Sequence, residues 1–112
     1  MHEMSIAESL VDLIEDEARK EGFTRVRRIE VKLGALGHVE PAALRFCFDA
    51  IARGTVAEGA SLDIETVAGM GCCPRCGRST AIAQRYDLCP ECGSHVQMTA
   101  GGELRLAELE VE

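Results

Sequence analysis

The sequence predicts an α+β fold in which two helices pack on a small three-stranded mixed sheet, with an inserted four-cysteine zinc-binding domain. Three observations lead to this fold. Apolar residues recur at helical spacing in two segments and alternate with polar residues in three others, as in strands. Two copies of the pattern Cys-Pro-x-Cys-Gly follow the second strand. The last strand is too short to be stable alone, so we expect it to return to the first sheet.

The first helix is predicted over residues 5–21. Ser5 and Glu8 form a capping box, in which two side chains satisfy free backbone N–H groups at a helix start. Gly22 favours the end of this helix because glycine readily adopts the left-handed conformation found there. Residues 1–4 are therefore expected to form a short lead-in.

The second helix is predicted between two strands. Residues 26–33 and 61–67 alternate apolar with charged or polar side chains, as half-buried strands do. Pro41 suits the first position of a helix, and Glu40 stands just before it as a cap. Gly54 marks the end of this helix.

The order of these elements predicts two domains. Residues 1–68 and 101–112 would form one α/β domain, and residues 69–100 would form the inserted zinc-binding domain. The parity of the apolar residues changes along the last strand, which a bulge near Ala107 or Glu108 would explain. The residues of this strand expected to be buried are Leu104, Leu106, Leu109 and Val111, and the expected hinge glycines are Gly69, Gly71, Gly101 and Gly102.

Four of the six cysteines have the spacing of a tetrahedral metal site. Cys73 and Cys76 form the first pair and Cys89 and Cys92 the second, and each pair can direct two sulfurs at one ion. Four protein ligands leave no open position for chemistry, so a structural Zn²⁺ is favoured. Two disulfides or a redox dithiol are the alternatives. Cys47 falls on the apolar stripe of the second helix and is interpreted as a core residue.

Composition disfavours several classes of function. The formal charge is −7 and only 4% of the residues are aromatic, so we expect no nucleic-acid partner, because such partners are bound through basic and aromatic side chains. No segment approaches the length of a membrane span, and no signal peptide is recognised, which suggests a reducing compartment. Two basic clusters are interpreted as solvated surface or as charges that offset a zinc–thiolate centre: Arg25, Arg27 and Arg28, and Arg75, Arg78 and Arg85.

The N-terminus carries a second possible metal site. The α-amine of Met1, the next backbone nitrogen and the imidazole of His2 can form fused chelate rings on one ion. Such nitrogen donors suit square-planar Ni²⁺ or Cu²⁺. Glu3 adds a carboxylate beside them. On the residues alone this signal is weak, since a histidine at position 2 usually binds nothing.

Taken together, these features resemble the HypA/HybF family of hydrogenase maturation nickel metallochaperones. The residues that carry the resemblance are the opening Met1-His2-Glu3-Met4-Ser5, the block from Gly34 to Phe48, the segment Glu58-Gly59-Ala60-Ser61-Leu62, both cysteine pairs, and the closing segment from Gly102 to Leu106. The resemblance covers nearly the whole chain.

The resemblance implies a cytoplasmic protein that is not an enzyme. Such a protein carries Ni(II) to the large subunit precursor of [NiFe]-hydrogenase together with the GTPase HypB, and in some members serves urease maturation proteins. It implies that nickel binds at His2, with Met1 and Glu3 beside it, and that Glu40 and His95 are further candidate ligands. The zinc ligands it implies are Cys73, Cys76, Cys89 and Cys92.

Several alternatives remain open in the sequence. Cys72 stands beside Cys73 and could replace it as a ligand, although only Cys73 is followed by the Pro that mirrors Pro90. His38 is interpreted as an ordinary loop histidine. The chain could instead be a zinc-ribbon adaptor that binds nucleic acid or transcription machinery. A rubredoxin-like iron carrier is a third class, since the same cysteine pattern also binds iron.

Overall fold

A computed structural model describes residues 2–112, apart from the side chain of His2. The elements in chain order are α1 (His2–Glu21), β1 (Val26–Gly34), a short 3₁₀ turn (Ala35–Gly37), α2 (Pro41–Ala52), β2 (Ser61–Val67), β3 (Met70–Cys72), β4 (Ser79–Ala81), β5 (Gln97–Ala100) and β6 (Leu104–Val111). None of the helices within this described part is long and apolar enough to cross a membrane.

Helix α1 begins earlier than the sequence predicts. It starts at His2, so the predicted lead-in is wrong for residues 2–4, and Ser5 and Glu8 lie within the helix rather than at its start. Glu3 lies in the first turn, where a carboxylate interacts favourably with the positive end of the helix dipole. The helix ends as predicted, with Gly22 at a φ of +80°.

Helix α2 has the predicted start. Its first residue is Pro41, and the side chain of Glu40 accepts a hydrogen bond from the backbone nitrogen of Ala42 at 3.2 Å. Helices α1 and α2 pack on each other. Cys47 is buried on α2, which confirms it as a core residue.

The first sheet has the strand order β2-β1-β6. Ion pairs join Arg28 to Asp63 and Lys32 to Glu65, so residue numbers rise together along β1 and β2, as in parallel strands. Parallel strands need a long crossover, and α2 provides it.

Strand β6 runs antiparallel to β1 and makes the sheet mixed. The nitrogen of Gly34 donates to the oxygen of Glu103 at 3.0 Å, and the nitrogen of Glu112 donates to the oxygen of Arg25 at 3.1 Å. The chain therefore returns to the first sheet after the cysteine pairs, which confirms the inserted arrangement.

The side chains of β6 are less buried than predicted. Leu104, Leu106 and Leu109 are half-buried, and Val111 is 41% exposed. The half-buried positions change parity after Leu106, in the region where a bulge is expected. The strand lies at an edge of its sheet, where side chains have fewer neighbours.

The chain divides into two compact units. The helical unit contains the chain up to Val31, together with Val39–Ile64 and Leu106–Glu112. The cysteine unit contains Lys32–His38 and Glu65–Arg105. The predicted boundaries of the two domains, with residues 69–100 as the insertion, remain a prediction.

A second sheet, which the sequence did not predict, organises the cysteine unit. Its strand order is β4-β3-β5, and both pairs are antiparallel. Gly71 lies inside β3, where an added Cβ would come within 2.9 Å of the Val96 side chain. Gly101 has a φ of +87°, and its Cβ would come within 2.7 Å of the Ala68 oxygen. These two glycines therefore permit close packing, and the interpretation of the glycines as hinges stays a prediction.

Candidate metal centres

The two cysteine pairs form turns with the same backbone geometry. The nitrogen of Gly77 donates to the oxygen of Cys73 at 2.7 Å, and the nitrogen of Gly93 donates to the oxygen of Cys89 at 2.8 Å. Both glycines have a φ of +73°, a conformation that side chains other than glycine rarely adopt. The repeated glycine thus closes each turn.

Each turn is closed by a second backbone hydrogen bond, from its first cysteine to the residue after its glycine. The nitrogen of Cys73 donates to the oxygen of Arg78, and the nitrogen of Cys89 donates to the oxygen of Ser94, both at 2.8 Å. Arg78 and Ser94 therefore occupy equivalent places in the two turns.

The two turns bring four sulfurs together. The Sγ atoms of Cys73, Cys76, Cys89 and Cys92 all lie within 4.8 Å of one another. Those of Cys73 and Cys92 are 3.6 Å apart. Sulfurs around a tetrahedral zinc at about 2.3 Å would be separated by about 3.8 Å. The cluster therefore has the dimensions of a tetrathiolate metal site.

The cluster contains Cys73 and not Cys72. The Sγ atom of Cys72 lies 3.9 Å from the Cys73 oxygen, and Cys72 is absent from the group of convergent sulfurs. None of the six cysteines forms a disulfide in the structure, and the convergence of four sulfurs favours a metal site over two disulfides.

Apolar side chains surround the inner half of the cluster. Cys73 and Cys89 are buried together with Leu36, Ile82 and Val96. Cys76 and Cys92 are exposed. A metal bound here would therefore have two sulfurs toward the small core and two toward solvent.

Ser94 lowers the pKa of Cys92, a contribution that the sequence did not predict. Hydrogen bonds from its side chain and backbone lower the pKa of Cys92 to about 6 from an ordinary 9.0. The hydrogen bond to Cys92, followed by burial, raises the pKa of Cys76 to about 12. The only signal in the sequence was a serine directly after the second Cys-Gly.

Two of the three basic residues near the cysteine pairs, Arg78 and Arg85, have partners other than the sulfurs. Arg78 forms an ion pair with Glu91 at 3.9 Å. Arg85 donates to the Gly102 oxygen at 2.7 Å. Arg78 is therefore paired with a carboxylate, whereas Arg85 bonds to a neutral carbonyl, and neither contact is to a cysteine sulfur.

The N-terminal candidates are only partly described. Met1 and the side chain of His2 lie outside the described residues, while the backbone of His2 begins α1. The nitrogen of Glu40 donates to Oε2 of Glu3 at 3.3 Å. The structure therefore brings together two residues that the resemblance implies for nickel, although they are 37 positions apart.

The two remaining histidines lie in the cysteine unit. His38 has a φ of 54°, and its Nε2 lies 3.2 Å from Oε1 of Gln84. His95 is exposed and pairs with Leu88 in an isolated bridge. Neither joins the four-sulfur group. The role of His95 in binding nickel remains a prediction.

A family model described as hydrogenase/urease nickel incorporation, metallochaperone, hypA, matches residues 1–111. The chain belongs to the HypA family. The expected resemblance is thereby confirmed over essentially the whole chain, and with it the coarse function of a nickel metallochaperone in hydrogenase maturation.

Curated and solved HypA proteins agree with this assignment. The chain is 61% identical to the hydrogenase maturation factor HypA of Methylocella silvestris and 53% identical to that of Azotobacter vinelandii, over the full length of each. Its structure is similar to the solution structure of the Ni metallochaperone HypA from Helicobacter pylori, with a TM-score of 0.76 and 28% identity, covering 97% of this chain and 96% of that one.

Proposed function

We propose that this HypA-family chain binds Ni(II) at its N-terminus and delivers it to the large subunit precursor of [NiFe]-hydrogenase, with zinc in a structural role at the cysteine cluster. The match of residues 1–111 to a nickel-incorporation family is the observation that carries this proposal. The proposed donors are the Met1 amine, the next backbone nitrogen and the His2 imidazole, with Glu3 beside them.

The start of α1 at His2 supports this donor set. The first N–H groups of a helix have no partner within the helix, so a metal ion can replace their protons without breaking the helical ladder. A cation at this end is opposed by the helix dipole. Deprotonated backbone nitrogens and the nearby carboxylates of Glu3 and Glu40 would offset that opposition.

Glu40 and His95 are the further candidate ligands. Glu40 is supported by its hydrogen bond to Glu3, which holds it beside the first turn of α1. His95 is supported by its exposure, which leaves its imidazole accessible to a metal ion. Three nitrogens at the N-terminus leave a fourth planar position, which Glu40 in the same unit would complete.

The zinc proposal is supported by the fit of the four sulfurs to a tetrahedral ion. Bound zinc would link the two turns and hold the small apolar core of Leu36, Ile82 and Val96. Iron fits the same sulfurs, but iron protein would be red and zinc protein colourless. A zinc-ribbon adaptor for nucleic acid is disfavoured by the charge of −7.

The specific partner proteins are expected from membership of the family. We expect the GTPase HypB and the hydrogenase precursor to bind this protein in the cytoplasm, and urease maturation proteins are further candidates. We expect no enzyme activity, because the role is to hold nickel and release it.

Nickel transfer tests the proposed delivery. Protein loaded with radioactive Ni²⁺ is mixed with purified large subunit precursor and HypB with GTP, and the label in the precursor is counted. We expect labelling above that obtained with His2→Ala protein. Equal labelling from the variant, or none from the wild type, would contradict the proposal.

A further inference from the structure

The cysteine unit contains a basic groove, formed beside β5 and the link to β6. Its volume is about 560 Å³, and the continuous segment from Met98 to Glu103 forms one wall. Lys32, Arg85 and Arg105 also line it, against a single carboxylate, that of Glu103. The net charge of the chain is −7, so this groove differs from the rest of the protein in having more cations than anions.

The cations of this basic groove are incompletely neutralised within the chain. Arg85 donates to the Met98 sulfur at 3.2 Å and to the Gly102 oxygen at 2.7 Å, both neutral acceptors. No ion pair involves Arg105 within residues 2–112. Lys32 has a carboxylate partner, Glu65, at 3.9 Å. Two guanidinium groups are thus available to an external anion.

The turn that carries Arg85 is held in place. The side chain of Asp87 accepts hydrogen bonds from the nitrogens of Ala83 at 2.8 Å and Gln84 at 3.1 Å. Tyr86 follows Arg85 on this turn and is 73% exposed. Arginine, tyrosine and methionine are among the residue types enriched at protein interfaces. Arg85 and Met98 line the groove, and Tyr86 follows Arg85 in the chain without lining it.

The shape of the basic groove favours an extended peptide. Strand β5 lies at the edge of its sheet, so no strand within residues 2–112 pairs with its outer backbone groups. An added peptide strand can use such groups. The groove is far larger than one phosphate ion requires, and none of its lining residues is aromatic, which disfavours stacking of nucleic-acid bases.

We propose that the basic groove is a docking site for an extended, glutamate- or aspartate-rich peptide segment of a partner protein. Carboxylates of the segment would pair with Arg85 and Arg105, and its backbone would lie along β5. This inference is separate from nickel and zinc binding, because none of the candidate ligands lines the groove.

A labelled peptide tests the proposal. The probe is a fluorescein-tagged octapeptide that alternates glutamate with leucine, and binding to zinc-loaded protein is measured by fluorescence anisotropy. Backbone NMR shifts locate it. We expect binding that weakens with added salt, with shift changes concentrated at Met98–Glu103. A peptide with glutamine in place of glutamate should bind at least about tenfold more weakly.

Arg105→Glu is the decisive variant, and Arg27→Glu is its control. Arg27 is exposed on β1 and outside the basic groove, and the two variants change the net charge equally. We expect Arg105→Glu to weaken binding about threefold to tenfold and Arg27→Glu to leave it nearly unchanged. Zinc content shows that each variant is folded. Equal losses in both, displacement of the probe by equimolar inorganic phosphate, or tighter binding of a uridine oligonucleotide would overturn the proposal.

Discussion

The backbone nitrogen of Glu40 donates a hydrogen bond to Oε2 of Glu3, 3.3 Å away. The same Glu40 accepts a hydrogen bond from Ala42 and so caps α2. One residue thus joins the start of α2 to the first turn of α1, where we propose that nickel binds.

The two roles of Glu40 can be separated by substitution. Glu40→Gln keeps an oxygen for the cap but removes the charge, so we expect unchanged stability and about tenfold weaker nickel binding. Glu40→Ala also removes the cap and should lower the free energy of unfolding by about 1 kcal/mol. Chemical denaturation and nickel titration measure the two effects. Wild-type nickel affinity in Glu40→Gln would exclude Glu40 from the nickel site.

The neighbouring cysteines Cys72 and Cys73 provide a matched test of the zinc site. Cys73→Ala should lower zinc content and loosen the cysteine unit, because it removes one of four convergent sulfurs. Cys72→Ala should retain full zinc. Elemental analysis measures both, and circular dichroism should show that helices α1 and α2 persist. Retention of zinc in Cys73→Ala with loss in Cys72→Ala would reverse the assignment.

Ser94 should set the pH at which zinc is lost. Its hydrogen bonds lower the pKa of Cys92 from 9.0 to about 6, so the thiolate is favoured above that pH and protons displace the metal as the pH falls. Ser94→Ala removes the side-chain hydrogen bond, and zinc should then be released at a higher pH.

Zinc release is followed with a colorimetric chelator during acid titration. Ser79→Ala, in β4 of the same unit, is the control and should behave as the wild type. An unchanged release midpoint in Ser94→Ala would show that Ser94 does not support the site.

The sequence predicted the large elements and the cysteine cluster because each depends on local pattern. Periodicity located α2, β1 and β2, and the repeated glycines fixed the geometry of both cysteine turns. The small sheet was not predicted because β3 and β4 have only three residues each, which is too few to show alternation of apolar and polar side chains. The contact between Glu3 and Glu40 depends on tertiary packing, which no local pattern encodes.

The start of α1 shows a conflict between two local signals. The capping box at Ser5 and Glu8 favours a later start, yet the helix extends to His2. The interaction of Glu3 with the helix dipole and with the Glu40 nitrogen provides a competing stabilisation. The consequence for function is that the proposed nickel donors lie at the end of a helix rather than on a lead-in.

Nickel titration of tag-free protein, followed by calorimetry and absorption, tests the central claim most directly. We expect one Ni²⁺ per chain, with binding that weakens as the pH falls through about 6.5, because protons compete for the imidazole and the amine. His2→Ala and N-terminal acetylation should each abolish tight binding and leave zinc in place. His38→Asn, which tolerates the left-handed backbone at that position, should bind as the wild type. Wild-type nickel affinity in both the His2→Ala and the acetylated protein would contradict an N-terminal site.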